Sequence, residues 1–269
     1  MNLSQILLKP TAGFTPVSIS DCVLWLRARD KVEDSGGAYP DDAENIANWR
    51  SIQTPTEHNA TQATAGDQPD WLATGFGGQP ALNFIQAEED HLDIADHADL
   101  DFNAVDFTLI FVGKFNTATF DGIMLKAEGG GSTGSSGVEG YELYIASTSS
   151  LRFRMRSTDN TALQAINTGD ATSGNRIIVC RVDWSANSEV FLDGGTPGTK
   201  DISGDSGNIS NDGKFQLGTG FNSASDSVDA EIAEVMLFRK KVPNVELNAL
   251  ANSYILPRYA STNWTDVTS

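Results

Sequence analysis

Short apolar runs separated by turn residues recur along the whole chain. Between them lie clusters of Gly, Asn, Asp, Ser and Thr, whose backbone freedom and local side-chain hydrogen bonds suit turns. The runs occupy residues 23–26, 81–84, 91–94, 107–115, 122–125, 141–145, 151–155, 176–184, 190–193, 215–217 and 232–238. Many short strands with frequent turns are typical of an all-β antiparallel sandwich.

The pattern within three runs predicts where they lie in that sandwich. Residues 107–112 and 177–182 are almost continuously apolar, as expected for central strands covered on both faces. Residues 151–156 alternate instead, with Leu151, Phe153 and Met155 on one face and Arg152, Arg154 and Arg156 on the other. We expect the arginine face to pair with carboxylates on neighbouring strands.

One segment near the C-terminus has helical periodicity. After Pro243, four apolar residues recur at helical spacing and form one stripe: Leu247, Leu250, Ala251 and Tyr254. Asn244 is the predicted N-cap, and Pro257 is predicted to end the helix because it has no amide hydrogen to donate. The sequence therefore predicts a β-sandwich with one C-terminal helix.

Charge narrows the range of functions. The chain has 269 residues, 36 of them acidic and 18 basic, which gives a formal net charge of −18. This balance disfavours nucleic acid and anionic membrane surfaces as partners, because both require clustered Lys and Arg. No apolar run is long enough to cross a bilayer, so membrane insertion is not expected. Residues 6–8 form a short apolar run that lacks preceding basic residues, so a secretory signal is not expected either.

Two cysteines, Cys22 and Cys180, lie in apolar runs. Two thiols do not make a disulfide framework, and four ligands are usual at a structural zinc site. We expect both to be buried free thiols.

Residues 88–106 contain eight acidic residues and no Lys or Arg. Hard oxygen ligands in a turn suit Ca²⁺, and the candidate ligands are Asp90, Asp96 and Asp99. The alternative interpretation is a solvated acidic face, so calcium is a possible cofactor and not a required one. The same segment begins with Glu88, Asp90 and Asp93, whose spacing is one residue type away from the Glu-x-Asp-x-x-Glu signature of laminarinase-like glycosidases.

Tryptophans are candidate platforms for sugar rings. Trp25 and Trp184 lie within apolar runs and are expected in the core, whereas Trp49 and Trp71 lie near polar loops. Trp49 and Trp71 are therefore the candidate ligand-binding residues.

Several segments together resemble laminin-G-like, concanavalin A-like jelly-roll domains. They are VLWLRA at residues 23–28, IANW at 46–49, NATQ at 59–62, QPALNF at 79–84, VFLDG at 190–194 and AEIAEVMLF at 230–238, followed by the predicted helix. The resemblance covers about residues 20–259 and implies an all-β, antiparallel jelly-roll β-sandwich with one C-terminal helix. Members of this family occur as carbohydrate-binding modules, adhesion domains and surface components of tailed bacteriophages.

The resemblance divides the chain into an N-terminal arm (1–20), a jelly-roll domain (21–259) and a C-terminal tail (260–269). It implies a non-enzymatic component of a virion surface, either a phage capsid decoration or a tail-associated protein. Other virion proteins would be partners through the arm, with possible binding of cell-surface glycans and possible homo-oligomers. Two alternatives remain: a secreted or cell-surface carbohydrate-binding module, and a glycoside hydrolase or lyase that uses Glu88, Asp90 and Asp93.

Overall fold

A computed structural model describes residues 13–53, 58–116, 121–128, 133, 138–147, 150–158, 162–172, 174–205, 208–219, 227–259 and 262–268. The strands are β1 (Cys22–Arg27), β2 (Val32–Glu33), β3 (Glu44–Asn45), β4 (Asn48–Trp49), β5 (Ala60–Thr61), β6 (Asp70–Phe76), β7 (Gln79–Phe84), β8 (Leu92–Ile94), β9 (Phe107–Phe115), β10 (Asp121–Ala127), β11 (Gly140–Ser147), β12 (Ser150–Arg156), β13 (Ala162–Asn167), β14 (Asn175–Val182), β15 (Asn187–Leu192), β16 (Gly198–Asp201), β17 (Phe215–Leu217) and β18 (Ala230–Phe238).

The strands form two antiparallel sheets that pack as a sandwich. The first sheet has the order β16-β15-β14-β9-β18-β7-β6-β3, and β1 also pairs with β18. The second sheet has the order β13-β12-β11-β10-β17-β8-β5-β4-β2. Hairpin neighbours alternate with pairs that are distant in sequence, such as β9 with β18 and β10 with β17, as in a jelly roll. The predicted all-β sandwich with one C-terminal helix is confirmed.

Two hydrophobic clusters account for the continuous apolar strands. Leu109 and Phe111 of β9 face a cluster that contains residues of both sheets, whereas Ile110 and Val112 face a second cluster on the outer side of the first sheet. The same division applies to β14. Both strands are thus covered on two faces, as predicted. On β12 the apolar set is buried, and Cys22 and Cys180 are buried free thiols.

The C-terminal helix covers the outer side of the first sheet and has three parts. Helix α1 (Asn244–Leu250) continues as a π-helical turn (Ala251–Ile255) and a short helix α2 (Leu256–Arg258). Pro243, and not Asn244, is the N-cap, while the Asn244 side chain accepts a hydrogen bond from Arg181. The helix also passes through Pro257, because Pro257 lies in the first turn of α2, where a missing amide donor is tolerated.

Both ends of the described chain pack on the domain. Ile19, from the predicted arm, is buried in the second cluster, and residues 1–12 lie outside the described residues. Val267, from the predicted tail, is buried in the same cluster, and Thr265 pairs with the backbone of Asp193 and Gly195. Gly194 is required there, since a Cβ atom would lie 2.0 Å from the Thr265 carbonyl oxygen.

The described chain contains four short 3₁₀ turns, at Pro16–Ser18, Ala65–Asp67, Gln86–Glu88 and Ala98–Leu100. None of the helices among the described residues has the length and apolar character needed to span a lipid bilayer.

Candidate functional site

A pocket of about 190 Å³ lies where the end of β1, the start of β7 and the end of α2 meet. Its lining residues are Arg27, Arg29, Gln79, Pro80, Arg258 and Tyr259. Three arginines around one small cavity are notable in a chain with a net charge of −18. The fold therefore concentrates positive charge at one point of an acidic molecule.

A buried carboxylate lies beneath this pocket and fixes its aromatic wall. Glu234 on β18 is completely buried and accepts hydrogen bonds from Trp25 Nε1 at 2.5 Å and from Tyr259 Oη at 2.9 Å. It also accepts a hydrogen bond from the Tyr254 hydroxyl. Burial raises the pKa of Glu234, and the three donors act in the opposite direction by stabilising its charge. These bonds hold the segment that carries Arg258 against the first sheet.

The three arginines are held differently. Arg27 forms an ion pair with Asp30 and donates to the Tyr254 hydroxyl at 3.2 Å. Arg258 donates to the Tyr254 carbonyl at 3.0 Å, and its guanidinium carbon lies 3.9 Å from the centre of the Tyr254 ring. The Arg29 side chain is exposed and has no ion pair or hydrogen bond to another residue in the described part of the chain. Arg29 therefore retains its full capacity to donate to a ligand.

Next to Arg29 lies an exposed aromatic ring. Tyr39 is 55% exposed, the largest exposed fraction of any aromatic side chain among the described residues. Its hydroxyl donates to the Arg29 carbonyl at 3.2 Å, and its ring packs edge-on against Trp71 with centroids 5.2 Å apart. Tyr39 does not line the cavity, but this contact places a largely exposed ring beside Arg29.

The predicted tryptophan platforms have a different role. Trp49 is completely buried, and Trp71 is only 6% exposed and donates from Nε1 to the Ala28 carbonyl at 2.7 Å. Both belong to the core cluster between the sheets. Neither presents a face to a sugar ring, so the platform assignment is corrected: Trp71 supports Tyr39, which is exposed in its place.

The three predicted calcium ligands do not come together. Asp90 is buried and accepts from the Ile85 backbone amide at 2.8 Å. Asp96 forms an ion pair with Lys126, Oδ1 to Nζ 2.8 Å, and this buried ammonium also pairs with Asp101 at 2.9 Å. Asp99 lies beside two histidines. Among the described residues these three aspartates do not form a group with close ligand atoms, because each has been recruited by a different local partner.

The glycosidase-like cluster is divided as well. Asp93 forms an ion pair with Lys214 at 2.7 Å and accepts from Gln216 at 2.9 Å. Glu88 is exposed, whereas Asp90 is buried, and burial raises the pKa of Asp90 to about 7. Asp90 and Asp93 thus already have internal partners in the fold.

The fold and the pocket define a concanavalin A-like β-sandwich with a surface site that is lined by arginines. The sequence profile of the Laminin_G_3 family, described as the concanavalin A-like lectin/glucanases superfamily, matches residues 86–247. The chain belongs to this family. No curated protein sequence matches the chain.

Similar solved structures are binding domains of bacterial toxins. The binding domain of Paraclostridial Mosquitocidal Protein 1 is 12% identical with a TM-score of 0.65, over 87% of this chain and 52% of that one. The binding domain of botulinum neurotoxin serotype G is 10% identical with a TM-score of 0.61, over 87% and 51%. The serotype D ligand-binding domain, solved in complex with N-acetylneuraminic acid, is 12% identical with a TM-score of 0.55, over 92% and 56%. The chain therefore spans about half the length of these structures, and at these identities the likeness shows the fold alone.

Proposed function

We propose that this chain is a non-enzymatic glycan-binding domain and that the pocket of Arg27, Arg29 and Arg258 receives an acidic group of the glycan. The observation that carries the proposal is the Arg29 guanidinium, exposed at a cavity with two further arginines in a strongly acidic protein. Planar guanidinium groups bind carboxylates and sulfates through paired, charge-assisted hydrogen bonds.

The size of the cavity supports a small anionic group as its occupant. At about 190 Å³ it is smaller than the roughly 300 Å³ at which pockets for drug-sized ligands begin. A carboxylate or sulfate borne by one sugar unit suits this volume, and the rest of that unit would lie over Tyr39. Sugar C–H surfaces stack on aromatic faces, so Tyr39 would contribute apolar contact while the arginines contribute charge.

The toxin binding domains support an acidic sugar as the ligand class. One is in complex with N-acetylneuraminic acid, a sugar that carries a carboxylate, and a further neighbour concerns botulinum neurotoxin type C, whose cell entry depends on two ganglioside molecules. These ligands belong to those proteins. They make sialylated glycans the first candidates to test here.

The test is binding of the full chain to a panel of sialylated, sulfated and neutral glycans. We expect acidic glycans to bind, and Arg29→Ala to weaken binding about tenfold to 100-fold, the value of one charge-assisted contact. Arg152→Ala is the matched control, because it removes the same charge from the arginine face of β12 and should leave affinity unchanged. Equal losses in the two variants would mean that only net charge matters, and binding of neutral glycans alone would contradict the proposal.

The alternative of a glycoside hydrolase or lyase predicts that polysaccharide is cleaved. Because Asp93 is paired with Lys214 and Asp90 is held by the Ile85 amide, we expect no turnover of polysaccharides by the full chain. Cleavage that disappears in Glu88→Gln would establish the enzyme instead.

We propose a virion surface as the setting, with a secreted or cell-surface module as the alternative. The support is the family resemblance of the sequence and a rigid sandwich that presents loops at its edges. Shell binding that requires residues 1–12 would favour the virion surface. Glycan binding without any affinity for purified shells would favour the cell-surface module.

A further inference from the structure

Two histidines and an aspartate that do not line the arginine pocket converge elsewhere in the fold. His58 Nε2 lies 3.9 Å from Asp99 Oδ2, and His97 Nδ1 lies 3.5 Å from the same oxygen. The two imidazole rings are perpendicular, with centroids 4.6 Å apart. One ligand atom from each residue lies within 4.8 Å of the other two.

The fold explains this convergence. His58 precedes β5, and His97 is the N-cap of the 3₁₀ turn Ala98–Leu100 that follows β8. Strands β5 and β8 are neighbours in the second sheet, so the segments at their ends meet. His58 is completely buried, whereas the side chains of His97 and Asp99 are 33% and 38% exposed. The group is therefore buried on the His58 side and open to solvent on the side of His97 and Asp99.

Two of the three separations between ligand atoms are close to those required by a tetrahedral metal ion, and all three are within 4.8 Å. Zn²⁺ binds imidazole nitrogen and carboxylate oxygen at about 2.0–2.2 Å, which places neighbouring ligand atoms about 3.4 Å apart. The observed separations of 3.5 and 3.9 Å need only small side-chain movements to reach that value. Two imidazoles and one carboxylate favour Zn²⁺, Co²⁺ or Ni²⁺, whereas Ca²⁺ prefers oxygen ligands alone.

We propose that His58, His97 and Asp99 form a binding site for a divalent transition-metal ion such as Zn²⁺, with the fourth position open to water. The ion would link the segment before β5 to the turn after β8. It would act as a staple at this edge of the second sheet, independent of the glycan pocket.

Among the described residues, a hydrogen bond to His97 competes with the ion. His97 Nδ1 accepts a hydrogen bond from the Asp99 backbone amide at 3.1 Å. An ion on Nδ1 replaces that contact in a turn that is partly exposed, with the His97 and Asp99 side chains 33% and 38% exposed.

The experiment is a Co²⁺ titration of the full, metal-free chain, followed by visible absorption, with Zn²⁺ and Ca²⁺ as competitors. We expect one Co²⁺ per chain with a tetrahedral spectrum, displacement by Zn²⁺ but not by Ca²⁺, and a rise in Tm with Zn²⁺. His97→Asn is the first variant, because asparagine also caps helical turns and should preserve the fold. Asp99→Asn is the second. Each should weaken binding by more than the roughly 10- to 100-fold typical of changes outside the ligand shell.

His91→Asn is the matched control. His91 contacts Gln62 and is not part of the three-residue group, so its replacement should leave Co²⁺ affinity and the Zn²⁺-induced rise in Tm unchanged. Failure of the wild-type chain to bind Co²⁺ or Zn²⁺ would overturn the proposal. So would His97→Asn and Asp99→Asn variants that bind as tightly as the control, or loss of binding in His91→Asn alone.

Discussion

Arginine occurs in two groups of three, and their surroundings are opposite. On β12, Arg154 forms an ion pair with Glu142 of the neighbouring strand, and Arg156 donates to the Thr133 carbonyl at 2.6 Å. At the pocket, Arg29 has no such partner among the described residues, and Arg258 stacks on a tyrosine ring. The first group holds the sheet together, whereas the second leaves hydrogen-bonding capacity for a ligand.

This comparison shows that unused hydrogen-bond donors, and not the number of charges, mark a candidate binding site. Glu142 is only 2% exposed, so the charge of Arg154 compensates a buried carboxylate. A buried carboxylate lies beneath the pocket too, but Glu234 accepts its hydrogen bonds from Trp25, Tyr254 and Tyr259. Aromatic donors satisfy Glu234, so no arginine is needed for that purpose, and Arg29 at the pocket remains available.

The largest effect should come from Arg154→Ala. It leaves the buried Glu142 carboxylate without its cation, and breaking a buried pair from one side costs about 3–5 kcal/mol. The free energy of unfolding, measured in urea, should fall by about that amount, while the wild-type glycan preference of the folded protein is retained. A loss below about 1 kcal/mol would show that the ion pair of Arg154 contributes no more to stability than an exposed surface pair does.

A smaller loss of stability, about 2 kcal/mol, is expected for Glu234→Gln. The neutral amide oxygen still accepts from Trp25 and Tyr254, but these hydrogen bonds lose their charge assistance. The amide NH2 group donates at the position where the carboxylate accepted from Tyr259, so that hydroxyl must turn to accept. Because Tyr254 also contacts Arg27 and Arg258, glycan affinity should fall together with stability. Urea denaturation measures the change in stability, and the glycan panel measures the change in affinity. Unchanged affinity would show that Glu234 does not contribute to ligand binding at the pocket.

The sequence predicts the sandwich better than it predicts the pocket. Alternation on β12 and continuous apolar runs on β9 and β14 are local signals, and each determines which faces are buried. The pocket instead brings together Arg29 and Arg258, which lie near opposite ends of the sequence. No local pattern of residues predicts that they meet. Polar neighbours gave a misleading signal for Trp49 and Trp71, because a two-residue strand such as β4 lies in the core without a long apolar run around it.

Asp90 is a buried carboxyl group that has no ion pair among the described residues, whereas Glu142 is paired with Arg154. Burial raises its pKa from 3.8 to about 7, and its Oδ1 has no hydrogen-bond partner among the described residues. Between pH 3.8 and about 7, the Asp90 carboxyl is therefore protonated in the folded state and ionised in the unfolded state. The stability from this group is fully present below pH 3.8 and is lost as the pH rises through about 7.

Asp90→Asn should remove this dependence. At pH 8 the variant should be more stable than the wild type by about 2–4 kcal/mol, because no charge is buried, and near pH 4 the difference should fall below about 1 kcal/mol. Urea denaturation at both pH values measures the effect. Asp93→Asn is the comparison, since Asp93 is paired with Lys214 and should give no gain at pH 8. An equal difference at pH 4 and pH 8 would mean that Asp90 does not titrate in this range.

The smallest effect should come from Arg29→Lys, which keeps the charge but removes the planar fork. A lysine attracts an acidic group as a point charge but does not form two parallel hydrogen bonds with a carboxylate. We expect affinity for a sialylated glycan to fall only a few-fold, about 1 kcal/mol, with the salt dependence of binding retained. Arg29→Ala should reduce both affinity and salt dependence. If the lysine variant loses as much affinity as the alanine variant, geometry governs recognition; if it loses none, the pocket acts through charge alone.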